Sequence, residues 1–179
     1  MKKKSDIGKS ILVLAIICLV VSGLLAIVNS FTAPISLKNA KEREDAARRE
    51  LLPEAVEFIE KADDRFPEGV VSAHEAIARN GESLGYIITT EGKGFAGTIR
   101  VMTAIDDEGI IIKCNTLDVS SETPPLGGQT ALDFYTNRYI GKDSSLKGVH
   151  AITGATITSD AYRRCVADAF KAYHILEEA

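Results

Sequence analysis

The hydrophobic pattern of the chain opens with an uncharged apolar run of 18 residues, from Ile11 to Val28. At a rise of about 1.5 Å per residue, a helix of this length spans roughly 27 Å, close to the ~30 Å hydrocarbon core of a bilayer. A signal peptide has a shorter apolar segment, of about 7–15 residues, and a small-x-small cleavage site. The sequence from Val28 to Phe31 is a poor cleavage site. We therefore predict an uncleaved transmembrane anchor over residues 10–29.

The charges before this run predict its orientation. Asp6 is outnumbered there by four lysines, Lys2, Lys3, Lys4 and Lys9. Because basic residues stay on the cytoplasmic side, residues 1–9 are expected in the cytoplasm. The remainder of the chain is then expected on the extracytoplasmic face of the cell membrane, behind a single pass.

The segment after the anchor is dense in charge from about Leu37 onward. We predict a short turn at residues 29–34 and then a helix from Leu37 to Leu52, which ends there because Pro53 disfavours helical geometry in the residue before it. Opposite charges recur four residues apart, each pair contributing about 0.2–0.5 kcal/mol. The pairs are Lys38–Glu42, Lys41–Asp45, Glu44–Arg48 and Asp45–Arg49. This pattern is typical of a solvated stalk, and a helix that docks on a partner subunit is the alternative.

A second short helix is predicted to begin at Pro53 and to end at Ile59, because proline is favoured at the first helical position. With it, the helical stalk covers residues 30–69. From about Val70 the pattern becomes that of strands, with turn residues at Asn80-Gly81 and at Gly92-Lys93-Gly94.

The strand pattern is clearest from Thr98 to Asp106, where apolar residues alternate on one face. A turn at residues 107–109 leads into a second strand from Ile110 to about Val119. Residues 118–129 are predicted to be irregular, because they hold two prolines and two glycines. We predict a short helix at 133–139, a loop at 141–148 and an amphipathic helix from Ser159 to Glu177. Consecutive strands with helices at the ends indicate an α+β domain over residues 70–179, an antiparallel sheet with flanking helices.

Composition narrows the function classes. Residues 1–29 carry a net charge of +3, whereas the other 150 residues hold 17 basic and 24 acidic side chains, a net charge of −7. An acidic body repels phosphate backbones, which argues against nucleic-acid binding. The chain has three cysteines, without a C-x-x-C pair, and three widely separated histidines. These numbers argue against a disulfide framework and against a metal site.

The segment from Ala151 to Asp160 carries the candidate chemistry. Gly154 opens backbone conformations that other residues avoid, so that a ligand can approach the main chain. Four hydroxyl groups surround the predicted helix start, those of Thr153, Thr156, Thr158 and Ser159. The residues alone leave two interpretations open. Thr158 or Ser159 caps the helix, worth about 1 kcal/mol, or the helix start binds a phosphate, to which a threonine is able to be esterified.

Three segments resemble a known family in the same order. The sequence Thr153-Gly154-Ala155-Thr156 is similar to the S/T-G-A-T motif of the FMN-binding domain family. Residues 92–97 resemble the glycine-rich hairpin of that family, and residues 121–127 resemble its E-T-P-x-L-G loop. The family includes the G subunit of Rnf electron-transport complexes and the C subunit of sodium-pumping NADH:quinone reductases. The resemblance covers the anchor and roughly residues 84–165.

The resemblance implies that FMN is joined to Thr156 by a phosphoester bond, which a separate flavin transferase forms from FAD. We predict further cofactor-binding residues around the phosphate and around the ring. The phosphate group comprises Thr153, Gly154, Ala155, Thr158 and Ser159. The ring group comprises Lys93, Gly94, Phe95, Glu122, Thr123, Leu126 and Gly127.

Three positions differ from the pattern of the family. His150 lies six residues before Thr156, where aspartate is usual, so that the flavin transferase is expected to modify this chain less efficiently if it reads that carboxylate. Pro125 stands where glycine is common, which stiffens the loop. Phe95 replaces a frequent tyrosine, which removes one hydroxyl group.

The resemblance implies an electron-transfer subunit of an Rnf-type membrane complex that couples electron transfer between ferredoxin and NAD to ion movement. The partners are then the other membrane and iron–sulfur subunits. The sequence has no nicotinamide fingerprint, so this chain is not expected to oxidise NADH by itself. The alternatives are the C-type quinone reductase subunit, whose members tend to be longer, and a free-standing anchored redox sensor or electron-transfer module. A structural subunit without flavin is the third.

Overall fold

The computed structural model describes residues 2–178, with side chains at 8–36 and 38–178. It divides into two compact units, Met1–Arg43 and Glu44–Ala179. Two terminal residues lie outside the described residues: Met1, which begins the predicted cytoplasmic segment, and Ala179, which ends the predicted domain. So do the side chains of the first three lysines on which the orientation rests.

The first element is one continuous helix, α1, from Lys2 to Leu51. The turn predicted at residues 29–34 is wrong, because Pro34 lies inside the helix. Ser30 and Thr32 turn their hydroxyl groups onto the helix backbone and donate to the carbonyls of Ile27 and Val28 at 2.7 and 2.8 Å. The polar side chains of this segment are thus satisfied without a break in the helix.

The apolar part of α1 is exposed along its length and carries no charge from residue 11 to 28. Among the described residues, α1 is the one helix that is both long enough and apolar enough to cross a membrane. It is therefore compatible with a membrane anchor. Its end at Leu51, two residues before Pro53, agrees with the predicted end to within one residue.

Five strands form one antiparallel sheet in which each strand pairs with the next along the chain. They are β1 (Ala55–Lys61), β2 (Val70–Ala78), β3 (Ser83–Lys93), β4 (Thr98–Ile105) and β5 (Ile111–Asp118). The predicted α+β class and antiparallel sheet are confirmed. Gly81 and Gly109 have φ values of 85° and 75° in the predicted turns. The third turn lies later than predicted, because β3 extends to Lys93 and the bond from Gly94 N–H to the Gly97 carbonyl closes the hairpin.

The helix predicted from Pro53 to Ile59 is wrong, since residues 55–59 lie in β1 and residues 53–54 form the turn before it. Phe58 lies opposite Ala76 of β2 and packs against the buried cluster on that face of the sheet. The pairing with β2 satisfies the backbone and overrides a short local preference for helix. The second compact unit consequently begins at Glu44, before the boundary expected at residue 70.

The end of α1 that belongs to this unit packs on the sheet. Ala47 and Leu51 are buried with Met102 and Ala104 of β4. Arg48 is 9% exposed and forms an ion pair with Asp45 at 2.6 Å. The sequence had predicted Arg49 as the partner of Asp45. This part of the predicted stalk is therefore part of the domain core rather than solvated.

The opposite face of the sheet is covered by α3 (Thr156–Glu177), which starts three residues before the predicted helix. The alternating residues Ile99, Val101 and Ile105 of β4 share one face of the strand, as predicted, and this face is buried beneath α3. Between β5 and α3, a 3-10 helix at Gly127–Ala131 precedes α2 (Asp133–Thr136) and a second 3-10 turn at Asn137–Tyr139. Of the segment predicted to be irregular, 118–129, residues 119–126 are irregular, since Asp118 ends β5 and the 3-10 helix begins at Gly127. The helical segment at 133–139 is confirmed.

Candidate functional site

The first turn of α3 has no side-chain cap among the described residues, and its N-cap position is Ala155. The capping interpretation of Thr158 and Ser159 is wrong, because both lie inside the first turn. The N–H of Ser159 bonds to the carbonyl of Ala155 at 2.9 Å. The preceding N–H groups, beginning with that of Thr156, have no acceptor within the helix by geometry. This helix start therefore keeps both its donors and its positive dipole end available for an anion.

Gly154 shapes the chain just before the helix. Its φ of 81° lies in the left-handed region, and a Cβ atom there would lie 3.3 Å from Cδ2 of Leu126. Both the backbone conformation and the close approach of Leu126 favour glycine. The prediction that this residue permits an unusual main-chain path is confirmed.

The four hydroxyl groups of this segment fall into two classes. Ser159 is buried, and its oxygen accepts a bond from the N–H of Ile152 at 3.0 Å. Thr158 is also buried and donates to Glu122 at 2.8 Å. Thr153 and Thr156 are exposed, and of these two Thr156 lines the adjacent cavity. Among the four, Thr156 is therefore the residue that is both exposed and part of the cavity lining.

The cavity has a volume of about 340 Å³ and is formed by the three segments that the sequence singled out. Its lining residues are Phe95, Glu122, Thr123, Leu126, Gly127, Gly154, Ala155, Thr156, Ile157 and Thr158. Four predicted site residues lie outside this lining, namely Lys93, Gly94, Thr153 and Ser159. Sequence reasoning missed Ile157, although an apolar residue directly after the motif threonine was a signal for it.

Glu122 joins the three segments at the cavity wall. It is 5% exposed; one carboxylate oxygen accepts from the N–H of Ala96 at 2.9 Å, and the other accepts from the hydroxyl of Thr158. A Cβ atom at either Gly94 or Gly127 would collide with this carboxylate. Gly94 thus makes room for Glu122, which explains why it lies behind the cavity rather than on its surface.

The charge of Glu122 follows from these contacts. Burial alone would raise the pKa of its carboxyl, but hydrogen bonds from the Ala96 N–H and the Thr158 hydroxyl outweigh burial and hold the pKa below 4.5. The backbone N–H groups of Gly97 and Phe95 act in the same direction. Glu122 is consequently ionised at neutral pH and is the one charged residue in the described lining of the cavity.

The loop that carries Glu122 is compact. The carbonyl of Thr123 accepts from the N–H groups of Leu126 and Gly128 at 2.9 and 3.0 Å. The side chain of Gln129 donates to the carbonyl of Pro125. These bonds hold Leu126 against the cavity while keeping it 44% exposed.

Two further sequence-predicted positions lie nearby in the chain. Lys93 is exposed at the end of β3, opposite Thr98. His150 is exposed, and its carbonyl accepts from the guanidinium of Arg138 at 2.9 Å. Its side chain is therefore accessible to another protein, while its backbone is fixed.

Comparison with known proteins agrees with the motifs found in the sequence. Residues 94–171 match the FMN-binding domain. The chain is 30% identical over 192 residues to the G subunit of the Na(+)-translocating ferredoxin:NAD(+) oxidoreductase complex of Acetobacterium woodii, and the match covers 93% of this chain and 91% of that protein. It is 26% identical over 168 residues to the G subunit of the proton-translocating ferredoxin:NAD(+) oxidoreductase complex of Clostridium ljungdahlii, with 87% and 85% covered.

One more relative and one solved structure extend the comparison. The G subunit of the ion-translocating oxidoreductase complex of Methanosarcina acetivorans is 29% identical over 174 residues, with 90% and 91% covered. The crystal structure of Shewanella oneidensis NqrC superposes with a TM-score of 0.52 at 16% identity, covering 72% of this chain and 74% of that one. At that identity the likeness concerns the fold alone. The family predicted from the three motifs is confirmed: the chain belongs to the G subunits of ion-translocating oxidoreductase complexes and carries their FMN-binding domain.

Proposed function

We propose that this chain is an electron-transfer subunit of a membrane-bound, Rnf-type ferredoxin:NAD oxidoreductase complex and carries FMN esterified to Thr156. One observation carries the proposal. Thr156 is the first residue of α3, it is exposed, and it lines the cavity. A phosphate on this oxygen would lie at the uncapped helix start, where the free N–H groups and the dipole favour it.

The charges around the cavity support a covalent link in particular. No lysine or arginine is present in the described lining, and Glu122 adds a negative charge. A free FMN phosphate carries roughly −1.5 to −2 charges at neutral pH, whereas a phosphodiester carries about −1. An ester therefore lowers the repulsion from Glu122. The ester also keeps FMN on the protein whatever its binding affinity, whereas a noncovalent site would lose FMN wherever the free cofactor is dilute.

The remaining lining suits a flat aromatic ring. Phe95, Leu126 and Ile157 are 71%, 44% and 53% exposed, and all three line the cavity. Such apolar surface is able to support one side of the ring while leaving another side accessible to a redox partner. When bound, FMN supplies transfer of one or two electrons, which suits a relay between different carriers. We also propose a contribution to FMN binding from the four predicted residues that lie outside the lining, namely Lys93, Gly94, Thr153 and Ser159.

The proposed arrangement in the membrane follows from the N-terminal charges. We propose residues 10–29 as the anchor, residues 1–9 in the cytoplasm and the FMN-binding domain on the extracytoplasmic face. The relatives from Acetobacterium and Clostridium are named as subunits of ferredoxin:NAD(+) oxidoreductase complexes. By that analogy, other membrane and iron–sulfur subunits donate and accept the electrons, and a flavin transferase attaches FMN.

The alternatives have less support. Similarity to NqrC rests on fold at 16% identity, whereas the Acetobacterium relative matches along 91% of its length. This difference favours a G-type subunit over a C-type one. A structural subunit in which Thr156 merely precedes a helix cap is disfavoured because α3 begins at Thr156 without a side-chain cap.

In-gel fluorescence tests the proposal. The full chain is coexpressed with a flavin transferase, denatured and separated, and a fluorescent band is expected from the wild type. Thr156→Val should abolish the band. Thr98→Val is the matched control, because Thr98 is also exposed but neither lines the cavity nor belongs to the predicted site, and it should keep the band. A dark wild type, or a fluorescent Thr156→Val variant, would contradict the proposal.

A further inference from the structure

The Glu122 carboxylate is a charged group held at a fixed place in the cavity wall. One oxygen accepts from the Ala96 N–H at 2.9 Å and the other from the Thr158 hydroxyl at 2.8 Å. Gly94 and Gly127 approach it so closely that neither position has room for a Cβ atom. The two hydrogen bonds hold the carboxylate in place, and the two glycines leave the space that it occupies.

The charge of Glu122 is also not balanced by a cation. None of the ion pairs in the described part of the chain includes it. Its two oxygens are satisfied by neutral donors, which leave the full negative charge in place. Because the side chain is 5% exposed, water screens this charge less than it screens a surface carboxylate.

A fixed negative charge acts on any redox group beside it. Each electron that such a group gains adds negative charge unless a proton accompanies it, so a neighbouring anion opposes the gain. The effect is larger in a partly dry site than at the surface, because the effective dielectric constant is lower there. A buried carboxylate in the wall of a flavin cavity therefore favours the oxidised form.

We propose that the Glu122 carboxylate lowers the reduction potential of FMN held in this cavity. This inference rests on the proposed function. Thr158, Ala96 and the two glycines position the carboxylate, whereas its charge produces the effect. The other cavity residues supply apolar contacts and hydroxyl groups but no second charge.

Glu122→Gln removes the negative charge of the side chain and keeps its size and shape. The amide oxygen is able to accept from Ala96 N–H, and the amide nitrogen is able to donate to the Thr158 oxygen, so both contacts survive. The flavin-loaded full chain is titrated electrochemically in detergent, in mildly alkaline buffer, and the midpoint potential is read from the flavin absorbance. The variant should have a higher potential, by at least a tenfold change in the two-electron equilibrium constant, which is about 30 mV.

Two comparison variants complete the test. Glu108→Gln removes an equal charge from an exposed turn at the opposite end of β4 and should leave the potential unchanged. Thr158→Val removes one neutral donor but keeps the carboxylate, so it should lower the potential, because the remaining charge is less well compensated by hydrogen bonds. A general disturbance of the cavity would instead move the potentials of Glu122→Gln and Thr158→Val in the same direction.

An unchanged potential in Glu122→Gln, or an upward shift in both cavity variants, would overturn the inference while leaving the proposed function intact. If Glu122→Gln takes up no flavin, Thr158→Val decides alone: a lowered potential supports the inference, and an unchanged or raised one overturns it. Failure of the proposed function is a separate outcome, since the wild type itself would then carry no flavin.

Discussion

The hydroxyl oxygen of Ser159 accepts a hydrogen bond of 3.0 Å from the backbone N–H of Ile152, seven residues earlier in the chain. The carbonyl of the same serine accepts from the hydroxyl of Tyr135 at 3.2 Å. Ser159 thus ties the first turn of α3 both to the loop before it and to α2. These contacts fix the path of the chain on either side of Thr156.

Ser159→Ala is expected to destabilise the domain and to reduce flavin incorporation. The buried N–H of Ile152 would lose its acceptor, which costs about 1–3 kcal/mol. Urea unfolding followed by tyrosine fluorescence measures the loss, because all five tyrosines of the chain lie between residues 86 and 173. Ser145→Ala is the control: its hydroxyl group bonds to Asp143 in an exposed loop, and a change of less than about 0.5 kcal/mol is expected. Equal stability of the two variants would refute this role of Ser159.

Gly154→Ala is expected to lose both stability and flavin. Alanine in the left-handed region costs about 1–2 kcal/mol, and here its Cβ would also press on Leu126. Gly81→Ala is a matched control, because Gly81 has a similar φ of 85° in a turn with open space around it. Both variants should unfold at lower urea concentration, but the flavin fluorescence per chain should fall in Gly154→Ala alone. A parallel loss of flavin in both would show that general stability limits incorporation.

His150→Asp is expected to raise flavin incorporation. The variant restores the carboxylate usual in the family at an exposed position whose backbone is held by Arg138. The measurement is the initial rate of in-gel flavin fluorescence during incubation with flavin transferase and FAD. Ser144→Asp adds the same charge at an exposed position of the preceding loop and should not change the rate. If the two variants are equally fast, or if neither exceeds the wild type, a specific role for this carboxylate is excluded.

The stability of the domain is expected to depend on the ionisation of Glu122. Its pKa in the folded chain is held below the ordinary value of 4.5, so folding favours the ionised form. This contribution is present above the unfolded-state pKa and is lost as the pH falls through the lower folded-state pKa. The difference in unfolding free energy between wild type and Glu122→Gln should therefore shrink during acidification. Urea titrations at several pH values measure it; a constant difference would contradict the pKa shift.

The sequence was sufficient for features that depend on local patterns. Strict alternation in β4 and the glycine turns at Gly81 and Gly109 predicted a sheet of neighbouring strands. The sequence was not sufficient where contacts between distant residues determine the secondary structure. Residues 53–59 have a helical local pattern, but residues 55–59 form part of a strand because β2 offers them hydrogen-bonding partners.

The candidate site shows the same division. The motifs placed Thr156 just before the predicted helix and brought the E-T-P loop and the glycine-rich hairpin into consideration, whereas the helix begins at Thr156 itself. They did not reveal that Thr158 and Ser159 serve as internal bonds, because their partners Glu122 and Ile152 are identified only by the folded arrangement. Local capping preference was therefore misleading, since both residues lie inside the first turn and their hydroxyl groups bond to residues outside the helix.

Mass spectrometry of the peptide that contains Thr156 tests the central claim most directly. Trypsin should release Gly148–Arg163 from the mature protein of the native host, because no lysine or arginine lies between Lys147 and Arg163. We expect this peptide to carry the mass of FMN less water, with fragment ions that assign the addition to Thr156. A peptide found only at its unmodified mass, or modified at Thr153 instead, would contradict the attachment of FMN to Thr156.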